Sequence, residues 1–295
     1  SQLQTRFNST HLYLGDSTVS QMTLTDGVNM ANNTLELNAQ NTLWTKQSFN
    51  STHTIANTGT VLLVTDSFNL GANWTIGSAT AEGAIEIMPV TLSSSIGLGD
   101  TSGDWNITRA NLQKLIPINA TTSITIGGTE RTGNINFTDA TALELNGAFK
   151  LKSGGGNITL NTSSSTVGSA DLNINGSLVL NTTGSINIGG QIQTTGNQTY
   201  IGNVTLLRDT TLVSTAGGVS SASNFSLGLG NLIIDQGGNS TLSGILSGSQ
   251  TLTKSGIGTL TLTGNNTYSG ITTITNGTLA IGDGGKNELP ALPKN

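Results

Sequence analysis

Between Leu252 and Gly282 the chain reads LTKSGIGTLTLTGNNTYSGITTITNGTLAIG, and this stretch restricts the accessible folds more than any other. Leu260 and Leu262 alternate with Thr259, Thr261 and Thr263, the period of two that gives a strand one apolar face. Gly264-Asn265-Asn266 breaks that run. Ile271 and Ile274 mark a second short strand, Asn276-Gly277 turns the chain again, and Leu279 with Ile281 begins a third. Each run is about four to six residues long and stops at Gly or Asn, which enter positive φ at little steric cost. Three short strands joined by two sharp corners describe roughly one coil of a β-solenoid.

The same logic recurs less cleanly elsewhere. Leu12/Leu14, Met22/Leu24, Leu35/Leu37 and Ile85/Ile87 are apolar pairs with one polar residue between them. Ile124/Ile126, Leu172/Ile174, Leu178/Leu180 and Ile186/Ile188 continue the pattern at coils of roughly 20 to 25 residues. Thr108 to Ile116 breaks it: Thr108 can cap a helix, Leu112, Leu115 and Ile116 share a face, and Pro117 ends it. A helix adds no rung to a sheet, so this one is expected to lie against the side of the solenoid with Trp105 beneath it. The Ser/Gly/Ala-rich segment from Thr215 to Asn224 reads as a loop excursion.

Composition agrees with a thin core. Charged residues are 9% of the 295 and aromatics 4%, while Ser plus Thr make up roughly a quarter and there are 39 glycines. A globule needs large side chains to fill its centre; a solenoid needs a narrow column of aliphatics, repeated. No apolar run reaches the ~18 residues of a membrane-spanning helix. Three Trp and three Tyr could not form the aromatic girdles of a membrane barrel. A net charge of −5 with 11 basic residues argues against a nucleic-acid partner. Lys150 and Lys152 form the nearest thing to a basic pair and read as solvated positions on one strand face. With no cysteine, disulfides and thiolate metal sites are excluded. The chain starts at Ser1 without a charged or apolar leader, which we read as a processed chain or a piece of a longer one.

The run GIGTLTLTGNNTYSGITTITNGTLAIG is similar, almost residue for residue, to the passenger-associated repeat of bacterial autotransporters. Two further segments, Ser95 to Gly128 and Thr194 to Leu212, resemble units of filamentous-haemagglutinin-like adhesins of two-partner secretion. These resemblances imply a right-handed parallel β-helix on an exported surface protein, and they imply no activity by themselves.

Candidate chemistry is sparse. Glycoside hydrolysis needs two carboxylates a few ångströms apart; Asp100 with Asp104 is the best local cluster, and His11 and His53 lack suggestive neighbours. Gly282-Asp283-Gly284-Gly285 only echoes a calcium-binding nonapeptide. Seventeen Asn-x-Ser/Thr sequons are present, among them Asn50, Asn106, Asn136, Asn157, Asn203, Asn239 and Asn276. Glycosylation is one reading. The other, which we favour, is that polar Asn and Thr flanking one inward apolar residue generate sequons automatically, since i and i+2 share a strand face.

The sequence therefore predicts an all-β protein, a parallel β-solenoid with one short helix near 108–116. Irregular coils would span 1–94, a helix-bearing insert 95–128, regular coils 129–282, and a linker or tail 283–295. The expected role is a structural or adhesive segment at the bacterial cell surface, presenting Thr, Ser and Asn faces. A polysaccharide lyase or hydrolase on the same fold is the competing reading. No catalytic residue, cofactor or metal ligand is assigned. Expected partners are cell-surface or matrix glycans and, because solenoid ends are rows of unpaired backbone groups, further coils or other copies stacked end to end.

Overall fold

The structure, a computed structural model, describes residues 84–99, 101–115, 123–138, 142–161 and 172–282, together with nine strand segments between residues 11 and 76. Strands one coil apart pair in parallel and in register. Leu232 lies beside Leu252, twenty residues on, and Leu252 beside Thr272. Coils are three-sided, so three ladders run along the molecule. The first joins His11–Leu14 through Val61–Thr65, Ile85–Met88, Ser123–Gly128 and Ala148–Ser153 to Thr259–Leu262 and Thr278–Ile281. The second includes Ile135–Phe137, Ile158–Asn161 and Phe225–Ser226. The third includes Leu172–Asn175, Leu232–Gln236 and Leu252–Ser255. The fold is the β-solenoid that the alternation predicts.

In-register stacking turns alternation into a core. On the first face Ile87, Ile126, Leu151, Leu180, Tyr200, Ser221, Leu242 and Leu262 form one buried column. Burying each aliphatic contributes about 1.5–3 kcal/mol. Tyr200 stands over Ser221 and meets Phe225 edge-on, with ring centroids 6.3 Å apart.

That pairing corrects the loop expected over 215–224. Val219–Ser221 is a full rung of the first face, with Val219 completely buried. Small residues fit there because the Tyr200 ring already fills the space above them. Coil corners are also smoother than the Gly and Asn punctuation suggests. Leu178–Thr194 and Gln198–Ser214 each run 17 residues as one strand around two corners.

Tyr200 brings a buried hydroxyl with it, and a buried polar group needs a partner. Its hydroxyl donates to Gln198 Oε1 at 2.8 Å, and Gln198 Nε2 donates to the carbonyls of Ile192 and Val213. Burial pushes the phenol's pKa far above its ordinary value. The unfolded phenol ionises near pH 10 while the folded one keeps its proton, so above that pH the unfolded state binds fewer protons and stability falls. Urea titrations at pH 9 and 11 are expected to show the wild type losing about 1.4 kcal/mol more than Tyr200→Phe across that interval.

The insert is where the regular course breaks. Ile85 pairs with Ile124, thirty-nine residues on. Within this long coil Ile96–Leu98 and Trp105–Ile107 lie side by side in parallel, nine residues apart. So tight a return needs glycine: a Cβ on Gly103 would come within 2.5 Å of the Gly97 nitrogen. The helix is shorter than predicted, Arg109–Leu112, with Thr108 Oγ1 accepting the Asn111 N–H as the expected cap. Its last bonds, Lys114 N to Asn111 O and Leu115 N to Leu112 O, tighten to the three-residue spacing. Leu115 then forms a parallel bridge to Ile76. The insert therefore rejoins the ladders on both sides of its helix instead of lying outside them, and Trp105 is a buried strand residue.

Candidate functional site

Because inward positions are filled by the columns, anything the molecule offers a partner lies on outward strand positions and at corners. On the first face Thr199, Ser220, Thr241 and Thr261 occupy one outward column on successive rungs. The Ser220 and Thr199 hydroxyls are 3.3 Å apart. On the third face Thr211, Ile233, Thr253 and Thr273 do the same. Adjacent rungs lie about 4.8 Å apart, so the first-face column presents hydroxyls at a regular short spacing, while Ile233 interrupts the third-face column. Lys150 and Lys152 are half-buried outward residues of Ala148–Ser153, flanked in register by Thr125, Val179, Gly127 and Asn181 rather than by acids.

The corners are held by side-chain amides, a feature that sequence reasoning missed. An Asn or Asp immediately before the first inward residue of a strand accepts the backbone N–H one coil later. Asn134 Oδ1 takes Asn157 N at 2.8 Å, Asn157 Oδ1 takes Ser185 N at 2.9 Å, and Asn197 Oδ1 takes Gly218 N at 2.9 Å. Asp209 to Asn231, Asn231 to Thr251 and Asn239 to Thr259 repeat the arrangement. The usable signal was an Asn followed directly by an inward residue, recurring at the coil spacing. Asn197→Ala leaves the Gly218 N–H without its acceptor, and an expected loss of about 1–2 kcal/mol is measurable by urea unfolding.

Several described sequons follow the strand pattern. The residue between Asn and Ser/Thr is buried at Ile107, Phe137, Ile158, Val204 and Ser240. Asn157 and Asn239 use their oxygens in the corner ladder, Asn106 Nδ2 donates to Gly103 O, and Asn276 Oδ1 accepts the Gly277 N–H. Asn136 and Asn203 sit outward on strands, with Asn136 half-buried and Asn203 exposed. Asn50 lies outside the described residues.

Asp104 has a structural task. Its Oδ2 accepts both the backbone N–H and the hydroxyl of Ser95, while its own N–H donates to Ser95 Oγ. Those two donors hold the carboxyl below its ordinary pKa, which suits a fixed anion that ties off the tight return. Asp100, its suggested companion, lies outside the described residues, as do the side chains of His11 and His53. Among the described residues no three His, Asp or Glu side chains gather where they could hold a metal ion. No described helix is long and apolar enough to cross a membrane.

Among the described residues, Lys254 is the charged residue that the solenoid takes inside. It shares an inward column with Ile234 and Ile274 and is fully buried. Its ammonium donates to the carbonyls of Ser255 at 2.6 Å, Gly256 at 2.8 Å and Asn276 at 3.2 Å, so all three N–H groups are used. Desolvation pulls its pKa down, and the Asp235 carboxylate opposes that shift.

Leu252 to Ile281, the stretch containing Lys254, matches the family model of the passenger-associated-transport-repeat. The chain thus carries an autotransporter passenger repeat built into a β-solenoid, the architecture of secreted or cell-surface passenger proteins. No curated protein and no solved structure matches the chain.

Proposed function

We propose that the chain is a structural, adhesive segment of an exported autotransporter passenger at the bacterial surface. In this reading its outward Thr, Ser and Asn columns make weak contacts with cell-surface or matrix glycans, and its rungs continue end to end. The supporting observation is the placement of the passenger repeat. Its strands Thr259–Leu262 and Thr278–Ile281 are ordinary rungs of the ladder that contains His11–Leu14, and Leu252–Ser255 with Thr272–Ile274 are rungs of the third, so the repeat and the preceding described coils form one continuous solenoid. Within the two segments that resemble adhesin units, Ser123–Gly128 and residues 198–201 are rungs of that ladder too. Single hydroxyls bind sugars weakly, but a column repeating every ~4.8 Å can meet many groups at once.

The test compares beads coated densely with the chain against the soluble chain on immobilised polysaccharides. Dense coating is expected to raise apparent affinity at least ~100-fold. Replacing Thr199, Thr241 and Thr261 by Glu should abolish most of the bead retention while leaving the far-ultraviolet spectrum unchanged. Equal retention of the coated and triple-substituted beads would overturn the adhesive role.

A further inference from the structure

Three asparagines of the chain are followed by glycine: Asn146, Asn175 and Asn276. In that dipeptide the asparagine side chain is most open to attack by its own backbone, because glycine places no Cβ beside the nitrogen that must reach Cγ. The fold treats the three sites differently. Gly147 N–H donates to the Asn175 carbonyl and Gly176 N–H to the Ile174 carbonyl, each at 2.9 Å. Both nitrogens are thereby held on main-chain acceptors, away from the side chain that precedes them. Gly277 N–H instead donates to Oδ1 of Asn276 itself, at 2.8 Å. Its nitrogen therefore rests against the amide it would attack, as in a near-attack arrangement with reacting atoms about 3–3.5 Å apart. Backbone conformation does not separate the sites, since Gly147 and Gly277 both have positive φ, 87° and 71°.

Asn276 is also gripped through its main chain. The fully buried Lys254 ammonium donates to the Asn276 carbonyl at 3.2 Å, and its bonds to Ser255 and Gly256 likewise end on neutral carbonyls. We propose that Asn276 is a self-modification site that converts to isoaspartate in the folded chain, and that Lys254 receives the carboxylate so formed. Gly277 N gives its proton to solvent and bonds to Asn276 Cγ. The side-chain nitrogen leaves as ammonia, taking up a proton from solvent, and a five-membered imide remains. Water then opens the ring. Hydrogen bonding from the ammonium draws electrons from the α-carbonyl, so opening is favoured at that carbon. The chain afterwards runs through Cγ, and the freed α-carboxylate lies where the Asn276 carbonyl was, against Lys254. A buried cation bonded only to neutral groups thus gains an ionic partner, and the rung gains one backbone atom.

The test is prolonged incubation of the purified chain in mildly alkaline buffer, followed by peptide mapping with electron-transfer fragmentation to separate aspartate from isoaspartate. In the native chain Asn276 should convert at least ~10-fold faster than Asn146 and Asn175, the effect of a pre-placed nucleophile, and mainly to isoaspartate. In guanidinium chloride neither the placement of Gly277 N nor the Lys254 contact survives. There the three rates should converge and the isoaspartate share at position 276 should fall. Equal native rates at the three sites, or an Asn276 that stays intact, would overturn the site. An isoaspartate share that unfolding leaves unchanged would overturn the part given to Lys254.

Discussion

Gly218→Val is expected to destabilise the solenoid by about 4 kcal/mol or more, among the largest effects available to one substitution. A Cβ at Gly218 would fall inside the van der Waals envelope of the Asn239 carbonyl oxygen on the next coil. Neither partner can yield. The Gly218 N–H is fixed by Asn197 Oδ1, and Asn239 Oδ1 holds the Thr259 N–H. Relief of the clash would require prising two rungs apart and breaking corner bonds on both. Gly155→Ala is the matched control. A Cβ there would meet only Thr132 side-chain carbons, the nearer at 3.8 Å, an ordinary contact, and its shift should stay within about 0.5 kcal/mol. Urea midpoints for both variants measure the contrast. Similar losses would mean that the coils are not packed backbone to backbone at Gly218.

Lys254→Ala should be nearly as damaging, and for a different reason. Truncation leaves the carbonyls of Ser255, Gly256 and Asn276 without their donor and opens a cavity in a column that is otherwise filled. An unpaired buried polar group costs about 1–3 kcal/mol, and the cavity left by truncating a long buried side chain to Ala adds about 2–5 kcal/mol. Lys254→Met restores the stem's volume but not the donors, so it should recover only part of the loss. The readout is local. Since Asn276 belongs to the last rung, amide exchange at residues 272–282 should accelerate more than at residues 198–214 in both variants. Full recovery by Met would show that the stem, rather than the ammonium, secures the final rung.

Sequence reasoning reached the solenoid because its signal is periodic and local. Ile124/Ile126 and Leu260/Leu262 alternate as strands must, and their columns are the observed core. The passenger repeat was legible for the same reason, as one uninterrupted coil. What stayed hidden depends on neighbours a coil away. The segment 215–224 lacks large residues, so nothing local marks Val219–Ser221 as a rung; its space is set by Tyr200, about twenty residues earlier. The tight return at Ile96–Trp105 rests on Asp104 gripping Ser95, which no periodicity reveals. Lys254 shows the limit most clearly. Its position reads as inward by alternation, but a lysine there looks like an error until three carbonyls from two rungs are seen to converge on it.

For the outer surface, composition was informative and identity was not. Abundant Asn, Ser and Thr announced polar faces, yet the split between corner asparagines that bond the next coil and outward ones such as Asn203 depends on register. Any glycan addition at Asn157 or Asn239 would have to spare the oxygen that the next coil uses.

The stacking itself is tested most directly by spin-label distances along one outward column, with Ala280→Cys paired in turn with Thr241→Cys, Thr199→Cys, Lys150→Cys and Glu86→Cys. These positions lie two, four, six and eight rungs from Ala280 in the first ladder. Their separations should rise in even steps of roughly 10 Å, twice the ~4.8 Å rung spacing. Distances that plateau, or that fail to follow rung order, would contradict a single continuous solenoid.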